Sequence, residues 1–170
     1  MTGCRKTEIF LGRWSEIDAA EMVWRLPRQR TKNAHPHVVP LAPQAWAIIA
    51  AQPRFAGCDY IFTTDGRRSI GGFSRLKSNL DRSMQPAAPW VLHDTRRTTA
   101  SGMQRLGIRV EVIEQVLNHR SGTFRGIVGV YQRHDYIDER RIALQRWADF
   151  VEQIVSGKAA KVVPMHGRRR

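Results

Sequence analysis

The stretch Leu92-His93-Asp94-Thr95-Arg96-Arg97 combines reactive side chains with helical periodicity. At about 100° per residue, His93, Arg96 and Arg97 share one face of a helix. The neighbouring face carries residues suited to a core, namely Leu92, Thr95, Thr99, Met103 and Leu106. We therefore predict a helix over about 91–105 whose polar, reactive face is separate from its packing face.

Two further polar groups follow this helix, each after a segment of its own. His119 ends the sequence Leu117-Asn118-His119, after an amphipathic segment predicted to be a helix over about 109–118. Tyr131 follows a glycine-rich connection. A last helix is predicted over about 137–156, because apolar residues recur there at spacings of three and four.

The first half of the chain predicts a β-hairpin among short helices. Residues 21–27 and 37–41 are predicted to be its two strands, and Lys32 lies near the tip of the connection between them. Helices are predicted over about 7–14, 42–51 and 69–84, the second of them begun by Pro43. The fold class is therefore mainly α with a small antiparallel β-hairpin or sheet, an α+β domain.

These motifs, in this order, resemble the catalytic domain of the tyrosine recombinases, specifically the phage and genomic-island integrases. Two earlier segments add to the resemblance, Thr2-Gly3-Cys4-Arg5-Lys6-Thr7-Glu8 and Arg30-Thr31-Lys32-Asn33. The resemblance runs from residue 2 to about residue 156, and five motifs in one order make it specific. It implies the integrase catalytic-domain fold and site-specific DNA recombination, in which strands are cut and rejoined through a 3′-phosphotyrosine without a cofactor.

The resemblance also implies a role for each candidate residue. Arg5 and Arg96 would clamp the non-bridging phosphate oxygens, because guanidinium groups bind phosphate through two directed hydrogen bonds. His93 and His119 would donate hydrogen bonds to phosphate oxygens, and Lys32 would be the general acid for the departing 5′ oxygen. Taken alone, a hairpin lysine is ordinary surface and a histidine at a helix end is an ordinary polar cap.

Tyr131 is the nucleophile that the resemblance implies, within Val130-Tyr131-Gln132-Arg133. Tyr136 is its rival, and Tyr131 is favoured because its segment is similar to the nucleophile segment of prophage-type integrases. Glu8 and Asp94 are interpreted as groups that orient Arg5 and the His93 region. Their number and placement do not suit a catalytic metal, so we expect none.

Composition points to a polyanionic partner. The formal net charge is +13, which suits double-stranded DNA, although a solvated basic surface is the simpler alternative. Residues 157–170 form a basic tail without acidic residues, and we expect it to be disordered. The predicted integrase catalytic domain therefore spans 1–156.

Location and completeness are further expectations. No apolar run approaches the ~18 residues of a membrane span, and two cysteines without framework spacing suggest reduced thiols in the cytoplasm. In the resembled family, further helices and a core-binding domain precede the Arg5 motif. We therefore expect an N-terminally truncated chain that works with other integrase protomers in a synaptic complex.

Other functions remain open from the sequence. Thr99–Leu106, Gly107 and Val110–His119 have the spacing of a helix-turn-helix DNA-binding protein without chemistry. A type IB topoisomerase would use the same tyrosine chemistry without pairing specific sites. A metal-dependent hydrolase is disfavoured, because no His, Asp or Glu cluster has ligand spacing.

Overall fold

The computed structural model describes residues 1–119 and 136–157, which form helices, one small sheet and the loops that connect them. The helices are α1 (Lys6–Phe10), α2 (Pro43–Ala50), α3 (Phe73–Met84), α4 (Asp94–Arg105), α5 (Val110–Val116) and α6 (Ile137–Ser156). The strands are β1 (Ile17–Asp18), β2 (Val23–Leu26) and β3 (His37–Pro40), and single 3-10 turns lie at Trp14–Glu16 and Arg28–Arg30. The predicted fold class is confirmed.

The sheet is antiparallel in the order β1-β2-β3, so the predicted hairpin is its larger part. Trp24 pairs with Val39, and Leu26 pairs with His37. Trp24 and Leu26 are buried whereas Arg25 between the buried positions is exposed. One face of the hairpin therefore packs on the core, and the β2–β3 connection carries Lys32 away from it.

α1 and α3 depart most from their predicted bounds, and a glycine lies close to each of the ends concerned. α1 ends at Phe10, and Gly12 follows where a side chain would collide with the indole of Trp24. α3 begins at Phe73, after Gly72 with φ of +67°, a backbone conformation that side chains disfavour. The proline-begun helix α2 and the long helix α6 agree closely with their predicted bounds.

Helix α6 packs against both the helices and the sheet. Leu144, Trp147 and Ala148 are buried, and α6 packs against α4, α5 and β3. The Trp147 ring occupies the space that a side chain at Gly102 of α4 would need. At the end of the helix Val155 is exposed, so only the first part of the predicted apolar face is buried.

The predicted separation of the α4 faces is wrong. Arg96 is only 4% exposed and shares the buried face with Thr99 and Met103, whereas Thr95 points to solvent. His93 directly precedes the helix and is exposed. Periodicity assigns a charged side chain to the outside, but here backbone carbonyls compensate for the burial of the guanidinium.

Several predictions lie outside the described residues. Tyr131, its glycine-rich approach and the tail beyond residue 157 belong to them. Within residues 1–119 and 136–157, no helix has the length and apolar character needed to cross a membrane.

Candidate active site

A cavity of about 730 Å³ opens between α1, the β2–β3 connection and the segments that begin α3 and α4. Arg5, Lys32, His93 and Arg96 all line it. These residues come from three segments that are far apart in sequence: the start of α1, the β2–β3 connection and the start of α4. The fold therefore brings together four of the six residues that the sequence singled out.

Arg5 is held at the start of α1 by Glu8. The Arg5 Nη1 donates to Glu8 Oε1 at 2.9 Å, and the backbone N–H of Arg5 donates to Glu8 Oε2 at 2.6 Å. Glu8 is 1% exposed, so both contacts are shielded from water. Glu8 thus fixes the Arg5 side chain and also closes the first turn of its helix.

Arg96 is buried without an acidic partner in the part of the chain that the structure describes. Its Nη1 donates to the carbonyl oxygen of Gly3, and its Nη2 donates to the carbonyl oxygen of Leu117. Burial, with a smaller contribution from the positive charge of Arg5, lowers the pKa of Arg96 to about 10. Arg96 therefore remains charged at neutral pH and faces a second cation.

The connection that carries Lys32 is tied to α1. Arg30 Nη2 donates to the carbonyl oxygen of Glu8 at 2.6 Å, and Arg30 Nη1 pairs with the buried carboxylate of Glu16. The N–H of Ala34 donates to the Thr31 carbonyl at 3.1 Å, which closes a turn around exposed Lys32. Sequence reasoning missed the Arg30–Glu16 pair, because nothing in either segment links residues that are fourteen positions apart.

His93 reaches the cavity from the end of a loop that Asp94 fixes. Asp94 Oδ2 accepts the N–H of Val91 at 2.8 Å, and this hydrogen bond is the main reason why the pKa of Asp94 is lowered. Asp94 Oδ1 accepts from exposed Arg97 at 2.9 Å. Asp94 therefore pairs with Arg97 and shapes the approach to His93.

His119 is not among the residues that line the cavity. It follows α5, where its Nδ1 lies 3.4 Å from Glu114 Oε1 and its backbone N–H donates to the Glu114 carbonyl at 2.9 Å. The carbonyl that Arg96 binds belongs to Leu117, only two residues earlier. The backbone of Leu117 and Asn118 therefore connects His119 to Arg96, which lines the cavity.

One wall of the cavity was not predicted. Lys77 Nζ lies 4.2 Å from the centroid of the Trp90 ring and 2.6 Å from an Asp81 carboxylate oxygen. Trp90 Nε1 donates to Asp81 at 2.9 Å. Lys77 and Trp90 belong to segments on either side of a proline-containing loop, so no periodic pattern connects them.

Other candidate groups differ in their surroundings. Tyr136 precedes α6 with φ of +46° and packs, half-buried, against the core. Burial raises the pKa of the Cys4 thiol to about 11, which keeps it protonated at neutral pH. Among the described residues, no group of three or more His, Cys, Asp or Glu is placed to hold a metal ion.

Residues 1–136 match the family model of the phage integrase family. The chain belongs to this family. Among curated relatives, prophage integrase IntA of Escherichia coli K12 is 30% identical and aligns with 92% of this chain and 38% of its own length. Prophage integrase IntZ of the same organism is 30% identical and aligns with 96% of this chain and 40% of its own length. The integrase of Enterobacteria phage P4 is 25% identical and aligns with 89% of this chain and 38% of its own length.

The chain spans about two fifths of the length of these integrases. The integrase of the Tn1549 transposon, solved with circular-intermediate DNA, is similar over 83% of this chain and 53% of its own, with a TM-score of 0.49 and 16% identity.

Proposed function

We propose that this integrase-family chain is the catalytic domain of a site-specific recombinase that cuts and rejoins double-stranded DNA through a 3′-phosphotyrosine. The observation that carries the proposal is the cavity shared by Arg5, Lys32, His93 and Arg96. Relatives of this chain are named integrases. By this similarity we also propose double-stranded DNA as the substrate and the bacterial cytoplasm as the location.

The charges around the cavity favour a phosphate. Glu8 pairs with Arg5, whereas Arg96 makes no ion pair among the described residues and donates to the carbonyl oxygens of Gly3 and Leu117. A buried cation without a counter-ion is costly, so a bound anion would stabilise this arrangement. Two guanidinium groups suit the two non-bridging oxygens of a phosphodiester.

In the proposed cleavage step, the hydroxyl oxygen of Tyr131 attacks phosphorus and forms a new P–O bond. The bond from phosphorus to the 5′ oxygen breaks, and Lys32 donates a proton to that oxygen. His93 accepts the tyrosine proton, while Arg5 and Arg96 neutralise the charge on the phosphorane. Attack by a 5′ hydroxyl from another strand reverses these events and rejoins the DNA.

The environment of Tyr136 supports Tyr131 as the nucleophile. Tyr136 is half-buried, contacts the core and adopts a constrained backbone at the start of α6. Moving its hydroxyl to a phosphorus atom would disturb that packing.

Strand exchange joins two duplexes, so we also propose that other copies of the protein take part in a synaptic complex.

A helix-turn-helix reader is less well supported. α4 and α5 are joined by a turn at Gly107, but the exposed side of α5 includes Glu111, which DNA phosphates repel. The buried side of α5, with Val112 and Ile113, packs on the core. The exposed face of a recognition helix would need basic side chains near the phosphates, whereas α5 presents an acidic one.

The proposal predicts a covalent adduct on a nicked suicide substrate that traps the cleaved strand. Tyr131→Phe should abolish the adduct while DNA binding persists, because only one hydroxyl can attack phosphorus. Tyr136→Phe is the matched control and should retain it. Adduct formation is measured by denaturing gel and peptide mapping, with chelator present throughout.

Three outcomes would contradict this assignment. An adduct on Tyr136 would move the nucleophile, and cleavage restored only by magnesium or manganese would indicate a nuclease. Relaxation of any supercoiled plasmid without a sequence requirement would indicate a type IB topoisomerase.

A further inference from the structure

Two asparagines join the Lys32 connection to the turn that carries His119. Asn33 Nδ2 donates to the Asn118 backbone carbonyl at 3.1 Å and to Asn118 Oδ1 at 2.8 Å. Asn118 Nδ2 donates in return to Asn33 Oδ1 at 3.3 Å. The two side-chain amides therefore form a reciprocal pair between residues that are 85 positions apart.

Backbone groups fix the orientation of the Asn33 amide. Its nitrogen faces a carbonyl oxygen, that of Asn118, and its oxygen faces the N–H of His35 at 3.3 Å. Reversing the amide would place two acceptors and two donors against each other. The direction of the pair is thus determined by the chain itself.

The backbone at Asn118 explains why an asparagine can stand there. Its φ is +48°, in the left-handed region where glycine is at ease and asparagine is the best-tolerated alternative. Asparagine keeps the same turn and adds an amide that reaches Asn33, so the contact depends on this particular residue.

The asparagine pair lies directly beside Lys32 in the chain. Lys32 directly precedes Asn33 and is exposed, and its long side chain has many rotamers. Arg30 anchors one side of the connection to α1, and the asparagine pair anchors the other side to the end of α5. A general acid must stay within hydrogen-bond distance of the atom that it protonates.

We propose that Asn33 and Asn118 are positioning residues that couple the loop of Lys32 to the turn of His119 and so hold the lysine at the departing 5′ oxygen. The part that concerns catalysis rests on the proposed function. The coupling itself does not, because it can be measured without DNA.

Amide hydrogen exchange, followed by NMR, tests the coupling. In Asn118→Gly the turn keeps its backbone, and exchange at Ala34 and His35 should become about 3- to 10-fold faster, as expected for the loss of one or two net hydrogen bonds. Asn33→Ala should have at least that effect, and adding Asn118→Gly to it should change little more. Asn79→Ala, an exposed asparagine on α3, is the control. Unchanged exchange in Asn118→Gly would overturn the proposal.

Single-turnover cleavage tests the link to Lys32. Asn118→Gly should slow cleavage of ordinary DNA by about 3- to 10-fold, and a bridging 5′ sulfur should remove the difference, since a thiolate leaves without a proton donor. Equal slowing on both substrates would indicate a merely structural role, and no slowing would exclude a positioning role. If the unsubstituted chain forms no adduct, the proposed function fails, and hydrogen exchange still decides whether the coupling exists.

Discussion

Arg96 shows how one side chain can hold the fold and remain available to a ligand. Two of its N–H groups are used by the carbonyls of Gly3 and Leu117, yet it forms no ion pair with a carboxylate among the described residues. Lys32 is the opposite case, since its side chain is exposed. These surroundings predict different responses to substitution.

Lys32→Ala should slow cleavage of ordinary DNA by ~10²–10⁴-fold, the usual effect of a lost general acid. The 5′ alkoxide needs a proton to depart, whereas a 5′ thiolate does not. A bridging sulfur should therefore restore much of the lost rate in single-turnover assays. Failure of sulfur to rescue Lys32→Ala would make Lys32 a DNA-positioning residue.

Arg96→Ala is the comparison variant. Sulfur should not rescue it, because the proposed role of Arg96 is to neutralise the non-bridging oxygens, and that role does not depend on the leaving group. Its unfolding must be measured as well, since two backbone carbonyls lose their donors in this variant. Equal rescue of both variants would contradict the separate roles.

At the scale of elements, the hairpin is joined to α5 and α6 by buried polar contacts. His37 Nε2 lies 3.2 Å from the Val116 carbonyl, and Arg140 Nη1 donates to the Val38 carbonyl at 2.8 Å. Burial, with a smaller contribution from the charge of Arg140, lowers the pKa of His37 to about 4. The hairpin that carries Lys32 is therefore attached through a neutral histidine.

Stability should fall in mild acid because of His37. The unfolded chain binds a proton at this histidine below about pH 6.5, and the folded chain does so only near pH 4, so protonation favours unfolding between these values. The free energy of unfolding should lose up to about 3 kcal/mol over this window. Urea unfolding at several pH values measures it.

His37→Gln should remove most of that pH dependence, while replacement of exposed His35 by Gln should leave it unchanged. An identical pH profile in wild type and His37→Gln would show that other groups control acid stability.

Local patterns were enough to predict the hairpin, α2 and α6, because alternation, a proline at the helix start and three-four spacing each reflect nearby residues. The burial of Arg96 could not be predicted in this way, since its acceptors lie 93 and 21 residues away. The Asn33–Asn118 pair was missed for the same reason. The roles of Arg5, Lys32, His93 and His119 stay predictions.

At the scale of the whole molecule, the net charge of +13 should dominate encounters with DNA. Arg5, Lys32 and Arg96 concentrate part of this charge in the cavity, and Lys6 and Lys77 extend it along the wall. Contacts of this kind bind phosphates and carry little sequence information.

DNA binding should therefore be strongly salt-dependent and tolerant of sequence, because each neutralised phosphate releases counterions. Fluorescence anisotropy between about 50 and 200 mM salt should show affinity falling by orders of magnitude, with a linear plot of log affinity against log salt. Scrambled DNA of equal length is the control. An affinity that barely changes with salt would count against a phosphate-binding surface.

The distant acceptors of Arg96 also affect the order of events during folding. Gly3 lies near the start of the described chain and Leu117 lies beyond α5, so their carbonyls meet at Arg96 only when high-contact-order pairings have formed. We therefore expect the contacts that hold the Arg96 guanidinium to form late in folding. A partly folded chain would then lack the complete cavity and, if the proposed function holds, could not cut DNA prematurely.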